Sequence, residues 1–122
     1  MILTMTLKVP PSVNHCYINI GHGAKRLSKF AEQWVDDAKD IAIKQAKKQG
    51  WKMVEGEKVV VEIWTYFPDR RRRDTHNGSK VMLDALEGII TNDDRYILPR
   101  YMDVSVDKEN PRVELKCYKL GA

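Results

Sequence analysis

The sequence predicts a single α+β domain spanning residues 1–122, with two helices packed on a mixed β-sheet in the order β-α-β-α-β-β. Three observations lead there. Apolar residues recur at helical spacing in two segments and alternate with period two in four others. The 122 residues, 43% hydrophobic and 31% charged, suit one modest core. Strand-forming and helix-forming segments follow one another along the chain, which favours helices layered on a sheet.

The elements follow in order. Residues 2–9 alternate, with Leu3, Met5, Leu7 and Val9 on one side, and Pro10-Pro11 ends that strand. Residues 12–27, which include Gly21-His22-Gly23, read as a long loop. Ser28 is a natural helix N-cap, although Ala31 stands where a capping box would place Glu or Gln. From Ser28 to Gln49, Phe30, Trp34, Ala38 and Ile41 recur at helical spacing, and Gly50 is a C-terminal stop. Lys44, Lys47 and Lys48 suit the negative end of that helix and also suit contact with a polyanion. Lys58 to Phe67 is the strongest strand: Val59, Val61, Ile63 and Phe67 share one face, and Val60, Glu62, Trp64 and Tyr66 the other. A second helix is expected from about Asn77 to Ile90, then a strand from Tyr96 to Val106 whose Pro99 implies an edge position or a bend. Residues 107–111 form a turn, and Arg112 to Leu120 a last strand.

Composition narrows the function classes. No run reaches the roughly 18 to 20 apolar residues of a membrane helix, and the start at Met1 lacks the signature of a signal peptide. A cytoplasmic protein is expected. Cys16 and Cys117 stand far apart in no metal-ligand spacing and read as ordinary reduced thiols. The net charge of +4 permits nucleic-acid binding. Its distribution says more, because Arg70, Arg71, Arg72 and Arg73 are consecutive.

The chemistry concentrates between Asp69 and Asp94. On a helical wheel Met82, Ala85, Leu86, Ile89 and Ile90 share the core arc, while Asn77, Lys80, Asp84 and Glu87 share the opposite one. Asp74 and His76 stand where the strand hands over to this helix, and Asp93 and Asp94 stand beyond its far end. Carboxylates from both ends meet only if the next strand returns beside the first. Hydrolysis of a phosphodiester builds negative charge, so carboxylates serve it only through a divalent cation; one or two Asp suffice to hold Mg²⁺. A lysine such as Lys80 supplies further positive charge, and the arginines grip flanking phosphates. Each residue also has a plainer use: Asp74 as a helix cap, Asp93-Asp94 as a turn, Lys80 with Asp84 as a surface ion pair, His76 as a solvated histidine and the arginines as solvated surface.

The combination nevertheless has a specific likeness. Pro68-Asp69-Arg70-Arg71-Arg72-Arg73-Asp74-Thr75-His76-Asn77 with Lys80, then Leu83-Asp84-Ala85-Leu86 and Asn92-Asp93-Asp94, together with Pro10-Pro11-Ser12-Val13-Asn14, resembles the RusA family of crossover-junction endodeoxyribonucleases of bacteria and phages. The resemblance implies a RusA-like mixed α/β fold, a homodimer, branched DNA (the four-way Holliday junction) as substrate in recombination and repair, and dependence on Mg²⁺ or Mn²⁺ with no organic cofactor. It assigns the metal and catalytic aspartates to Asp74 and Asp94 and the essential lysine to Lys80, with Asp93 as a further acid. One position departs: the family's Asp-x-Asp-Asn reads here Asp74-Thr75-His76-Asn77, a variant expected among phage or prophage relatives. Neutral imidazole is a poor ligand for Mg²⁺ but acceptable to Mn²⁺. His76 is therefore expected either to ligate a Mn²⁺-like ion or to contact the scissile phosphate or its water; Asp84 is expected to be a helix-face residue. The alternative function is a junction-binding protein that cuts weakly or not at all, and a third is a basic structural protein. Assaying wild type, His76→Ala and His76→Asp in Mg²⁺ and in Mn²⁺ tests a direct role for His76: the three should differ in at least one metal, and equal activity of all three in both metals would exclude that role.

Overall fold

The structure, a computed structural model, describes residues 1–11, 17–70 and 79–121. Four strands make the main sheet: β1 (Leu3–Leu7), β4 (Val59–Phe67), β5 (Ile97–Val106) and β6 (Arg112–Lys119). Their order is β1-β6-β4-β5. β6 runs antiparallel to both β1 and β4, whereas β5 lies parallel to β4, so the sheet is mixed. Among the described residues two helices, α1 (Lys29–Lys48) and α2 (Ser79–Leu86), complete the expected α+β class.

Alternation decides which sheet face is covered. Leu3, Met5 and Leu7 of β1, Val59, Val61 and Ile63 of β4, and Val113, Leu115 and Cys117 of β6 join one core cluster with the buried sides of both helices. On the opposite face Glu62, Trp64 and Tyr66 stay half-buried, and the Tyr118 hydroxyl donates to Glu62 Oε2 at 3.0 Å. Val60 also points that way yet is fully buried. It lies directly opposite Tyr118 on one side and Leu98 on the other, and larger side chains on adjacent strands cover a smaller one between them.

Helix α1 begins as the sequence predicts. Ser28 is extended (φ −66°, ψ 158°) and its hydroxyl accepts from Ala31 N at 3.1 Å. The absence of a capping-box acid has a packing reason, since Ala31 is completely buried. Ala38, Ala42 and Ala46 continue that buried stripe, and their small side chains let the helix lie close on the sheet. Phe30 does not join the core as expected: it is 68% exposed, one position off the stripe that Ala31 occupies.

Two further expectations are corrected. Residues 12–27 are not all loop, because β2 (Tyr17–Gly21) and β3 (Ala24–Leu27) form a two-stranded hairpin. The turn lies at Gly21-His22-Gly23, where all three residues have positive φ (103°, 50° and 75°); the two glycines adopt it without a Cβ clash. Among the described residues the element order is thus β-β-β-α-β-α-β-β. Helix α2 also stops at Leu86 rather than Ile90. Ile89 and Ile90 keep the helical spacing, but Gly88 at φ +82° turns the chain out of the helix first. The Asn77 start of this helix lies outside the described residues.

Pro99 stands on an edge strand, as its missing N–H requires, and the register of β4 with β5 shifts between Ile63 and Trp64. Asp107 closes the last turn: its carboxylate accepts from Asn110 N at 3.1 Å and from Arg112 Nη1 at 2.7 Å. The bond from Arg112 holds that carboxyl below its ordinary range. Cys117 is a free, buried thiol whose burial pushes its pKa up to about 12, which keeps it protonated and unreactive. Cys16 lies outside the described residues. No described helix is long and apolar enough to cross a membrane.

The β1 edge of the sheet is closed by side chains. Gln49 Oε1 accepts from Thr4 N at 3.0 Å and its Nε2 donates to Thr4 O at 2.7 Å. Gln45 makes the same pair with Thr6, at 3.0 Å each way. Gln45 in the last turns of α1 and Gln49 at its C-cap thus stand in for a neighbouring strand, which satisfies an edge that otherwise invites pairing. Replacing both with Ala should lower stability by about 2 kcal/mol and the melting temperature by roughly 5–10 °C, with increased self-association in light scattering. An unchanged melting curve and scattering would show that these amides are ornamental.

Candidate metal centre

The site is built at the end of α2. Val81, Met82, Ala85 and Leu86 face the core, which leaves Lys80, Asp84 and Glu87 on the outer side. Glu87 N still donates to Leu83 O at 3.0 Å, closing the last turn. Gly88 then reverses the chain, with its N–H donating to Thr91 O at 2.7 Å, and Thr91 comes to lie beside Glu87 in a parallel bridge. The reversed segment is held from the other side by residues 51–56. Val54 N donates to Ile90 O at 3.0 Å, Asn92 N to Val54 O at 3.3 Å, and the Trp51 indole to Ile90 O at 3.3 Å.

Asp93 and Asp94 have different surroundings. Asp93 is the N-cap of a short 3₁₀ turn, Asp94–Tyr96, and its carboxylate accepts from Arg95 N at 2.9 Å. Its second oxygen lies 3.5 Å from Arg95 Nε. The Arg95 guanidinium sits 5.0 Å from the centre of the Tyr96 ring. Asp94, the next residue, instead points back to the helix. One carboxylate oxygen from each of Asp84, Glu87 and Asp94 falls within 4.8 Å of the others, with Asp84 half-buried and the other two exposed.

Three like charges so close repel each other by on the order of 1 kcal/mol per pair even with water's screening. A cation between them reverses the sign of that interaction. All the donors are hard carboxylate oxygens, so the set fits Mg²⁺ or Mn²⁺ rather than a thiophilic or imidazole-seeking metal. Asp84, Glu87 and Asp94 are therefore the described residues suited to hold a divalent ion.

The sequence-predicted residues divide accordingly. Asp94 is brought into the cluster. Asp93 lies beside it with its carboxylate turned to Arg95. Lys80 is exposed on the first turn of α2, four residues before Asp84, and Arg70 is exposed just beyond β4. Asp74, His76 and Arg71 to Arg73 lie outside the described residues. The condition for bringing the far end of the helix back to the sheet is met, because β5 does pair with β4. Asp84, expected only to occupy a helix face, meets Asp94, and so does Glu87, which the helical wheel places on the same outer arc without a site role. The signal for both was present: two acids three apart on the arc opposite the core, followed at once by a glycine that turns the chain back over them.

An acidic cluster of hard donors on a basic α+β protein fits the class of metal-assisted phosphodiester enzymes. Residues 8–118 match the family of endodeoxyribonuclease RusA. That match spans nearly the whole chain, and the protein belongs to the RusA endodeoxyribonuclease family, a family of nucleases acting on DNA. No curated protein gives a significant match to the chain.

Binding of a divalent ion to the folded state should raise its stability. At ten times its dissociation constant the ion adds about 1.4 kcal/mol, a shift of several degrees in melting temperature with Mn²⁺ or Mg²⁺. Asp94→Asn should abolish most of that shift and Glu87→Gln part of it. Equal metal-induced shifts in wild type and both variants would remove these residues from any metal site.

Proposed function

We propose that this protein is a metal-dependent, structure-selective endonuclease that cuts phosphodiester bonds at four-way DNA junctions, acting as a homodimer in recombination and repair. The observation that carries this reading is the convergence of Asp94 with Asp84 and Glu87 within the region that matches the RusA family. In this reading Asp94 and Asp74 are the principal ligands, with Asp84 and Glu87 lending further oxygens and negative charge. A bound Mg²⁺ or Mn²⁺ supplies Lewis acidity at the phosphate and lowers the pKa of water.

The chain's own groups do the rest. The carboxylates fix the position and charge of the site. Lys80 carries its positive charge on the same helix face as Asp84, where its ammonium Nζ can meet a phosphate oxygen that gains charge. Arg70 to Arg73 bind flanking phosphates and set the register of the DNA arms without reading bases. His76 touches the metal or the reacting phosphate in place of the family's aspartate. A two-fold dimer matches the near two-fold symmetry of a junction and would hold two sites for paired cuts.

Cleavage of a labelled mobile four-way junction tests the reading. Asp74→Asn and Asp94→Asn should each lower the cleavage rate by about 10²-fold or more, with junction binding retained, and Lys80→Ala should do the same. Binding should weaken with salt by roughly 0.9 log units per phosphate contact for each log unit of salt. Full activity in Asp74→Asn would overturn the site assignment. Tight junction binding by wild type with no cleavage in either metal would instead identify a protein that binds junctions without cutting.

A further inference from the structure

The consecutive acids Asp93 and Asp94 invite the reading that both hold the metal. Their surroundings say otherwise. The segment Asn92-Asp93-Asp94 leaves a fixed point and enters the acidic cluster within three residues. Asn92 provides the fixed point. Its N–H donates to Val54 O at 3.3 Å, and its Oδ1 accepts from Gly56 N at 3.3 Å and from the Thr91 hydroxyl at 3.4 Å. Thr91 itself is completely buried. Asp93 then sets the direction. Its backbone is extended (φ −153°, ψ 135°), its Oδ1 accepts from Arg95 N at 2.9 Å, and its carbonyl accepts from Tyr96 N at 3.1 Å. Both bonds tie the residues after Asp94 back to the residue before it, so the backbone of Asp94 is clamped in a single 3₁₀ turn. The side chain of that clamped residue is the one that reaches Asp84 and Glu87.

We propose that Asp93 is a positioning residue that acts through Asp94 by capping the turn, and that it contributes nothing to the metal centre as a ligand. This rests on the reading of Asp94 as a metal-holding residue. The two carboxylates then have separable requirements. Capping needs a short side chain with one acceptor oxygen, which Asn and Ser also offer. Holding a divalent ion needs an ionised carboxylate. Residues that orient a ligand in this way typically alter metal affinity by 10- to 100-fold when they are lost.

The test compares Asp93→Asn, Asp93→Ser, Asp93→Ala and Asp94→Asn in the full-length protein. Mn²⁺ binding is measured by calorimetry, the Mn²⁺ concentration for half-maximal junction cleavage is titrated, and metal-free junction binding serves as the control. Asp93→Asn and Asp93→Ser should stay within about threefold of wild type in half-saturating Mn²⁺, and Asp93→Ala should need about tenfold more, with metal-free junction binding unchanged in all three. Asp94→Asn should fail at every Mn²⁺ concentration. If Asp93→Asn is as disabled as Asp94→Asn, its charge is required and the proposal is wrong. If Asp93→Ala matches wild type, the cap has no positioning role and the proposal is equally wrong. Should Asp93→Ala fail to fold, as judged by circular dichroism, retention of Mn²⁺ affinity in Asp93→Asn and Asp93→Ser still supports the proposal and its loss in both still defeats it. Full activity in Asp94→Asn would defeat the underlying assignment of Asp94 instead, a result distinguishable from either failure of Asp93.

Discussion

The parallel pairing of β4 with β5 is the constraint on which the rest of the site depends. Parallel neighbours cannot be joined by a tight turn, so the chain leaving β4 must cross back along the sheet before β5 begins. Helix α2 makes that crossing, with Val81, Met82, Ala85 and Leu86 buried against the core. The crossing ends where the helix must stop and the strand must start, and Gly88 and the pinned segment Ile90–Asn92 accomplish this in a few residues. The acidic cluster is a consequence of that short return. Its acids come from the last turn of the helix, from the residue just past it, and from the turn that opens β5.

The same economy appears in how the edges of the sheet are treated. β1 is a short edge whose outward backbone groups are engaged by Gln45 and Gln49. β5 is a longer edge on which Pro99 removes one donor and the Asp103 carboxylate accepts from Val104 N at 2.8 Å, occupying another. Met102, Val104 and Val106 are exposed along it. Interruptions of this kind limit unwanted strand addition.

Electrostatics and function fit together in this arrangement. A basic chain that gathers three carboxylates at one point has a local charge opposite to its overall one. A net positive charge favours the approach of a polyanion, and carboxylates repel a phosphate unless a cation lies between them. Membership of the RusA endodeoxyribonuclease family accords with both halves of that arrangement. Within Asn92-Asp93-Asp94, Asn92 is held on Val54 and Gly56, Asp93 caps the following turn, and Asp94 meets Asp84 and Glu87.

Much of this was legible in the residues. Period-two alternation located β1, β4 and β6 to within a residue or two, and Ser28 and Gly50 bracketed α1, because burying one face and capping one end are local requirements that leave a local pattern. The likeness of the Arg run, Asp74, Lys80 and Asp94 to the RusA family was equally a property of the sequence. The hairpin at Tyr17–Leu27 was hidden because Gly21-His22-Gly23 is as good a loop as it is a turn, and only pairing distinguishes the two. The end of α2 was misplaced because Ile89 and Ile90 keep helical spacing after the helix has stopped; they are held by Leu86, Val54 and Trp51, two of which lie more than 35 positions away. The tertiary structure alone decided that Asp84 and Glu87 meet Asp94 while Asp93 turns aside. That outcome depends on how the chain reverses at Gly88 and where residues 51–56 catch it, and neither contact has any sequence period to announce it.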